Sequence, residues 1–209
     1  MKTKYLISFI IIFYGVGILG LSLSATREFF ISLIPLTILM SNILLIIYHI
    51  PKQIKYLLVF SFVLIAGFMV EALGVNTGYI FGEYSYTDVL GWQLFKTPLI
   101  IGFNWAMLIY MVWTIMIDWK ISSWIKVSLA SMLMVLYDIV LEPFAIVYIM
   151  WTWPEAHPPF QNYAAWFFVS FLFFVLVWKS KVEMKNALAK PLFLIQLSFF
   201  TILFIINSL

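Results

Sequence analysis

Residues 127–150 read VSLASMLMVLYDIVLEPFAIVYIM. The run is long enough for a helix to cross the hydrocarbon layer, which takes about 20 apolar residues, yet it carries Asp138 and Glu142. At about 1.5 Å per residue, the two acids fall roughly 17 and 23 Å from the inner end of such a helix. Their spacing puts both on one face, a turn apart. An ionisable side chain near the middle of a membrane helix costs on the order of 3 kcal/mol, so its default explanation is function.

The rest of the chain has the same character. Of 209 residues, 65% are hydrophobic and only 10% are charged, which leaves too little polar surface for a soluble globule. The expected fold is all-α: a polytopic membrane protein in which residues 1–209 form a single bundle of seven transmembrane helices. Apolar runs place those helices at about 5–24, 29–50, 54–74, 98–118, 127–150, 163–178 and 191–207. In that topology Lys2, Lys4, Lys52, Lys55, Lys120, Lys126, Lys179, Lys181, Lys185 and Lys190 share one side of the membrane, and only Arg27 and Lys96 fall on the other. The positive-inside rule then puts the N-terminus in the cytoplasm and the C-terminus outside, as expected for a multi-pass protein of a bacterial-type cytoplasmic (inner) membrane. Lys2 and Lys4 ahead of Tyr5 to Leu21 resemble the start of a secretory signal, but the apolar run exceeds a signal's core and reads as an uncleaved first helix. Cysteine is absent, which removes disulfides and thiolate chemistry.

Along the chain, the second helix carries Pro35, Asn42 and His49, the last beside Pro51 and Lys52, where it reads as an interfacial histidine rather than a metal ligand. The third ends in Glu71-Ala-Leu-Gly74, followed by Asn76-Thr-Gly78-Tyr-Ile-Phe-Gly82-Glu-Tyr84-Ser-Tyr86. Glycines at 74, 78 and 82 imply a turning, closely packed backbone, so residues 75–97 are expected to form an ordered cap. Glu71 lies roughly 25 Å along its helix, level with Glu142, and Asn104 and Trp105 lie about 10 Å below the same surface. The loop Trp151-Thr-Trp153 to Asn162, with Trp166 beyond it, holds no lysine or arginine and reads as an aromatic belt or a substrate lining. Phe167, Phe168, Phe171, Phe173 and Phe174 read as packing residues, and Gln196 is the conspicuous polar group of the last helix. No phosphate-cradling glycine pattern is present, and nucleic acid is not an expected partner.

Glu71, Asp138 and Glu142 are thus expected in the outer half of the membrane, without a basic residue at their depth. They cannot all be ionised at reasonable cost, and at least one is expected to hold its proton. A neutral carboxylic acid in an apolar pocket can protonate a carbon–carbon double bond of a lipid-soluble polyene. Aromatic faces would stabilise the carbocation, and water activated by a second carboxylate would add to it. The bland alternative is that the acids are hydrogen-bonded links between helices.

The stretch from Glu71 to Tyr86, then Pro98, Trp105, Asp138 through Glu142-Pro143, Trp151-Thr-Trp153, Asn162 and Trp166 together resemble the CruF-type carotenoid biosynthesis membrane proteins, over about residues 67–178. The resemblance implies a cofactor-independent carotenoid 1,2-hydratase, which adds water to the terminal double bond of an acyclic end group of the lycopene or gamma-carotene type. It implies Glu71, Asp138 and Glu142 as the acids, with Asn104, Trp105, Thr77, Tyr84, Tyr86, Trp151, Trp153, Asn162 and Trp166 around the substrate. It implies no metal, and as partners a carotenoid, water, the bilayer and neighbouring carotenoid enzymes. One segment departs from the family pattern: where relatives are glycine-rich with a tyrosine, this chain has His157-Pro-Pro-Phe-Gln-Asn162. A membrane lycopene-type cyclase would begin with the same protonation, and a carotenoid-binding or transport protein would need none. A covalent retinal protein is excluded, because Pro191 to Leu209 contains no lysine for a Schiff base.

Overall fold

The computed structural model describes residues 3–208, so Lys2 lies outside the described residues. Eight helices are present among them: α1 (Thr3–Ser22), α2 (Arg27–Ser32), α3 (Ile34–Tyr48), α4 (Ile54–Thr77), α5 (Ile100–Met116), α6 (Ser123–Val147), α7 (Phe160–Ser180) and α8 (Ala189–Ser208). Five of them, α1, α4, α6, α7 and α8, are long and apolar enough to cross a membrane, and α3 and α5 are shorter apolar helices. The run 29–50, expected as one helix, is two. The chain turns at Leu33, and Pro35 stands in the first turn of α3. Its ring removes one N–H and collides with the carbonyl four residues back, so the helix restarts there instead of continuing. His49, expected as an interfacial histidine at the edge of its helix, is 0% exposed and shares a 2.8 Å hydrogen bond with the Tyr110 hydroxyl.

α5 forms the centre of the bundle. Every residue from Trp105 to Trp113 is buried, and α3, α4, α6, α7 and α8 pack around it. A helix that is apolar all round belongs in such a position, whereas α1 and α4 turn Ile11, Ile12, Leu58 and Phe62 outward, as lipid-facing helices do. Small residues let α4 and α5 approach closely. A Cβ on Gly102 would stand 2.6 Å from the Leu64 carbonyl oxygen, and one on Gly67 2.6 Å from the Trp105 Cβ. Gly67 lies one turn before Glu71, so this close approach lays Trp105 against the acid.

The cap expected over residues 75–97 is ordered. Gly78, with φ of 68°, ends α4 in the left-handed conformation that favours glycine. Gly82 (φ 98°) follows, and a Cβ there would meet the Pro159 ring at 2.7 Å. The cap contains β1 (Ser85–Tyr86), a 3-10 turn at Asp88–Leu90, and the hairpin of β2 (Gln93–Leu94) and β3 (Thr97–Pro98). β1 pairs antiparallel with β4 (Trp151–Thr152), with Tyr86 opposite Trp151 and Ser85 opposite Thr152. This short ribbon joins the cap after α4 to the loop after α6.

Candidate functional site

Alternate residues of a strand share a face, and that period explains the spacings Tyr84-x-Tyr86 and Trp151-x-Trp153. Tyr84 and Tyr86 each donate a hydrogen bond to Glu71 Oε2, at 2.5 and 3.0 Å. Trp151 and Trp153 each donate through Nε1 to Glu142 Oε2, at 3.1 and 3.0 Å. Each strand of the ribbon therefore serves one carboxylate. The rings meet across the pair, Tyr86 edge-on to Trp151 at 5.9 Å and Tyr84 over Trp153 at 5.0 Å. Burial first, and then the Glu71 charge beside them, hold both tyrosine hydroxyls well above the usual tyrosine range, so they remain donors.

The three acids differ in how completely they are satisfied. Glu71 accepts a third bond, from Trp105 Nε1 to Oε1 at 2.9 Å, so both its oxygens are occupied. Glu142 is held through Oε2 alone. Asp138 accepts one bond, from Asn162 Nδ2 to Oδ2 at 2.6 Å, and its buried Oδ1 has no partner. Among the described residues the only ion pair joins His157 to Glu155 at the surface, so no ammonium or guanidinium neutralises the three acids. Arg27 is turned instead toward the end of α1, where its Nε donates to the Leu21 carbonyl at 3.0 Å.

All three carboxylates border one cavity of about 310 Å³, lined mainly by apolar and aromatic side chains from α1, α2, α3, α6 and α8. Of the residues expected around a substrate, Asn104, Tyr84, Tyr86, Trp151, Trp153, Asn162 and Trp166 border it. Asn104 is half-buried and makes no side-chain hydrogen bond among the described residues, which leaves its amide available to a ligand. Trp105 does not border the cavity. It is wholly buried behind Trp166, stacked on it at 4.6 Å, and acts on the site through its bond to Glu71. Thr77 is elsewhere too: its hydroxyl donates to the Leu73 carbonyl of its own helix, and it borders a second, more polar pocket with Asn76, Glu83 and Ser85. Tyr84 and Trp153 line both spaces and form the partition between them.

A polar chain crosses the cavity wall half-way down the bundle. Tyr137 donates to Gln196 Oε1 at 3.0 Å, Gln196 Nε2 donates to the Tyr14 hydroxyl at 3.0 Å, and Tyr14 meets Ser41 Oγ at 3.3 Å. Gln196 stood out in the sequence, but its partners are 59 and 182 residues away, and no local pattern announces them.

The sequence model of a family described as carotenoid biosynthesis protein matches residues 33–209. The chain belongs to the carotenoid biosynthesis protein family. The matched range contains α3 to α8 and all three acids, whereas α1, which contributes Tyr14 to the cavity wall, precedes it. Comparison with curated proteins and with solved structures gives no match. Membership of the carotenoid biosynthesis family and five long apolar helices together make this an integral membrane protein that takes part in carotenoid synthesis.

Proposed function

We propose that the protein is a carotenoid 1,2-hydratase. In this reading α1, α3, α4, α5, α6, α7 and α8 cross a bacterial-type inner membrane seven times, with the N-terminus cytoplasmic and the acids in the outer half. The observation that carries the reading is the unequal satisfaction of three carboxyl groups around one apolar cavity, with no cation beside them. Asp138, with Oδ1 unpartnered, is suited to hold a proton and give it up, as a carboxylic acid in an apolar site can.

The chemistry then follows from the geometry. The Asp138 carboxyl transfers its proton to the less substituted carbon of the terminal double bond. The π electrons form the new C–H bond, leaving a tertiary carbocation and an Asp138 carboxylate. The faces of Tyr86, Trp151 and Trp166 and the fixed charge of Glu71 stabilise that cation. A water oxygen held by Asn104 bonds to the cation and loses a proton to Glu142, whose Oε1 is free while two indoles fix Oε2. Return of that proton to Asp138, one helical turn away, closes the cycle with the alkene and one water converted to a tertiary alcohol. The polar pocket behind Tyr84 and Trp153 supplies the water.

The deciding experiment incubates membranes containing the protein with an acyclic carotenoid and follows product mass. Hydration adds one water to the substrate. An isomer of unchanged mass would instead identify a cyclase, and unchanged substrate a binding or transport protein.

A further inference from the structure

The cavity is small for the molecule it would serve. At about 310 Å³ it stands at the lower end of the roughly 300–1,000 Å³ found for small-molecule pockets. A carotenoid end group fits such a space, but the conjugated chain behind it is long and stiff and cannot fold back inside. The chain must leave through the wall.

One place in the wall is suited to this. Val16 borders the cavity and is also 50% exposed on the outside of α1. Across from it, Ile34, Thr37 and Ile38 of α3 border the same space and are only partly buried. α1 packs chiefly on α8 and α3 chiefly on α5, so neither fills the gap between them. The gap is bounded below by the hydrogen bond between Tyr14 and Ser41. It is bounded above by α2, whose Phe30 is seated on α1 at Gly20, where a Cβ would stand 2.3 Å from the ring. The break at Leu33 thus has a purpose: it lets α2 lean onto α1 while α3 stands away from it.

We propose that the gap between α1 and α3 is a lateral portal to the bilayer. Through it an acyclic carotenoid inserts its end group towards Asp138 while the rest of its chain stays among the lipid tails. The proposal rests on the carotenoid reading of the cavity but not on turnover. It is tested with lycopene as the probe and the full chain in lipid nanodiscs. Free lycopene is achiral, so visible circular dichroism reports only molecules held in the protein. Val16→Trp and Thr37→Trp place bulk on opposite jambs and are expected to weaken that signal's apparent affinity roughly tenfold or more. Leu58→Trp, on the 64% exposed outer face of α4, is expected to leave it as in the natural chain. Thermal unfolding confirms that each variant folds, and the two jamb variants serve as substitutes for one another. Affinity in both jamb variants equal to that of Leu58→Trp overturns the portal, as does a natural chain that gives no induced signal. Binding that is lost in the jamb variants but accompanied by no hydration in the natural chain upholds the portal and overturns the hydratase.

Discussion

At one end of the bundle Glu71, Asp138 and Glu142 border an open cavity; at the other, His49, Tyr56, Tyr110 and Asn186 form a closed polar knot. His49 is stacked on Tyr56 at 3.6 Å and bonded to Tyr110, and Asn186 donates to Tyr110 at 3.2 Å and to the Leu45 carbonyl at 2.8 Å. Paired backbone bonds between Ile50 and Lys185 tie the same two loops together. Both ends bury polar groups far from bulk water, and both leave atoms unpartnered, His49 Nε2 and the Tyr56 hydroxyl in one and Asp138 Oδ1 in the other. The difference lies in what surrounds them. The knot bonds loop to helix and its four residues border neither of the two cavities, whereas the carboxyl layer has aromatic walls, a cavity and a free amide. Burial of a polar side chain marks a place where structure is fixed; burial beside a cavity marks a place where chemistry can occur.

Substitutions at the two ends should separate these roles. The largest effect belongs to Asp138→Asn and Glu142→Gln. Each removes a carboxyl group to which the proposed mechanism gives a proton transfer, and should lower product formation by about 10²–10⁴-fold, the range of general acid–base catalysis, with membrane insertion unchanged. Product analysis in a lycopene-making host measures this, and normal hydration by both variants would end the acid–base proposal. Next come Tyr84→Phe and Tyr86→Phe. Each deletes one donor to a buried carboxylate, a bond worth roughly 1.5–3 kcal/mol, and turnover should drop by about tenfold or more while the fold persists. Equal turnover in these variants and the natural chain would show that Glu71 needs no such fixing.

The closed end should respond in the opposite sense. His49→Ala and Asn186→Ala leave buried partners unsatisfied at a cost of about 1–3 kcal/mol each, so thermal unfolding in detergent should shift down while activity per folded molecule holds. Lost activity in fully folded protein would mean that the two ends are coupled. The smallest effect is expected at Thr77→Val. Its hydroxyl donates within α4, accepts from the Tyr79 N–H just beyond it at 3.3 Å, and lies outside the acid cavity, so stability should stay within about 1 kcal/mol and turnover should be unaffected. A marked fall in turnover would instead place the outer pocket in the reaction path.

Much of the acid layer was legible because depth along a membrane helix is arithmetic. Helix rise alone places Glu71 and Glu142 at one level with Asp138 a turn below, and all three border the same cavity. Trp105 was expected beside substrate and instead supports Glu71 from behind, because Gly67 admits its ring between α4 and α5. Thr77 shares its sequence segment with Tyr84 and Tyr86 but not their face. The left-handed turn at Gly78 separates the end of a helix from the start of a strand. The break at Leu33 had a visible signal in Pro35, although proline in membrane helices is common enough that its presence alone does not end one.

The sequence by itself determined an all-helical chain too apolar for water and three acids costly enough in that setting to require a reason. It also held the ordered motifs that agree with membership of the carotenoid biosynthesis family. These are local properties, set by hydropathy, by the 1.5 Å rise of a helix and by the desolvation of charge. Only the tertiary structure decided that the ribbon of β1 and β4 hands two tyrosines to Glu71 and two tryptophans to Glu142. It alone left Asp138 half satisfied and opened the cavity that all three acids border. Such pairings join residues tens of positions apart, and their geometry depends on how helices pack, which no window of sequence contains.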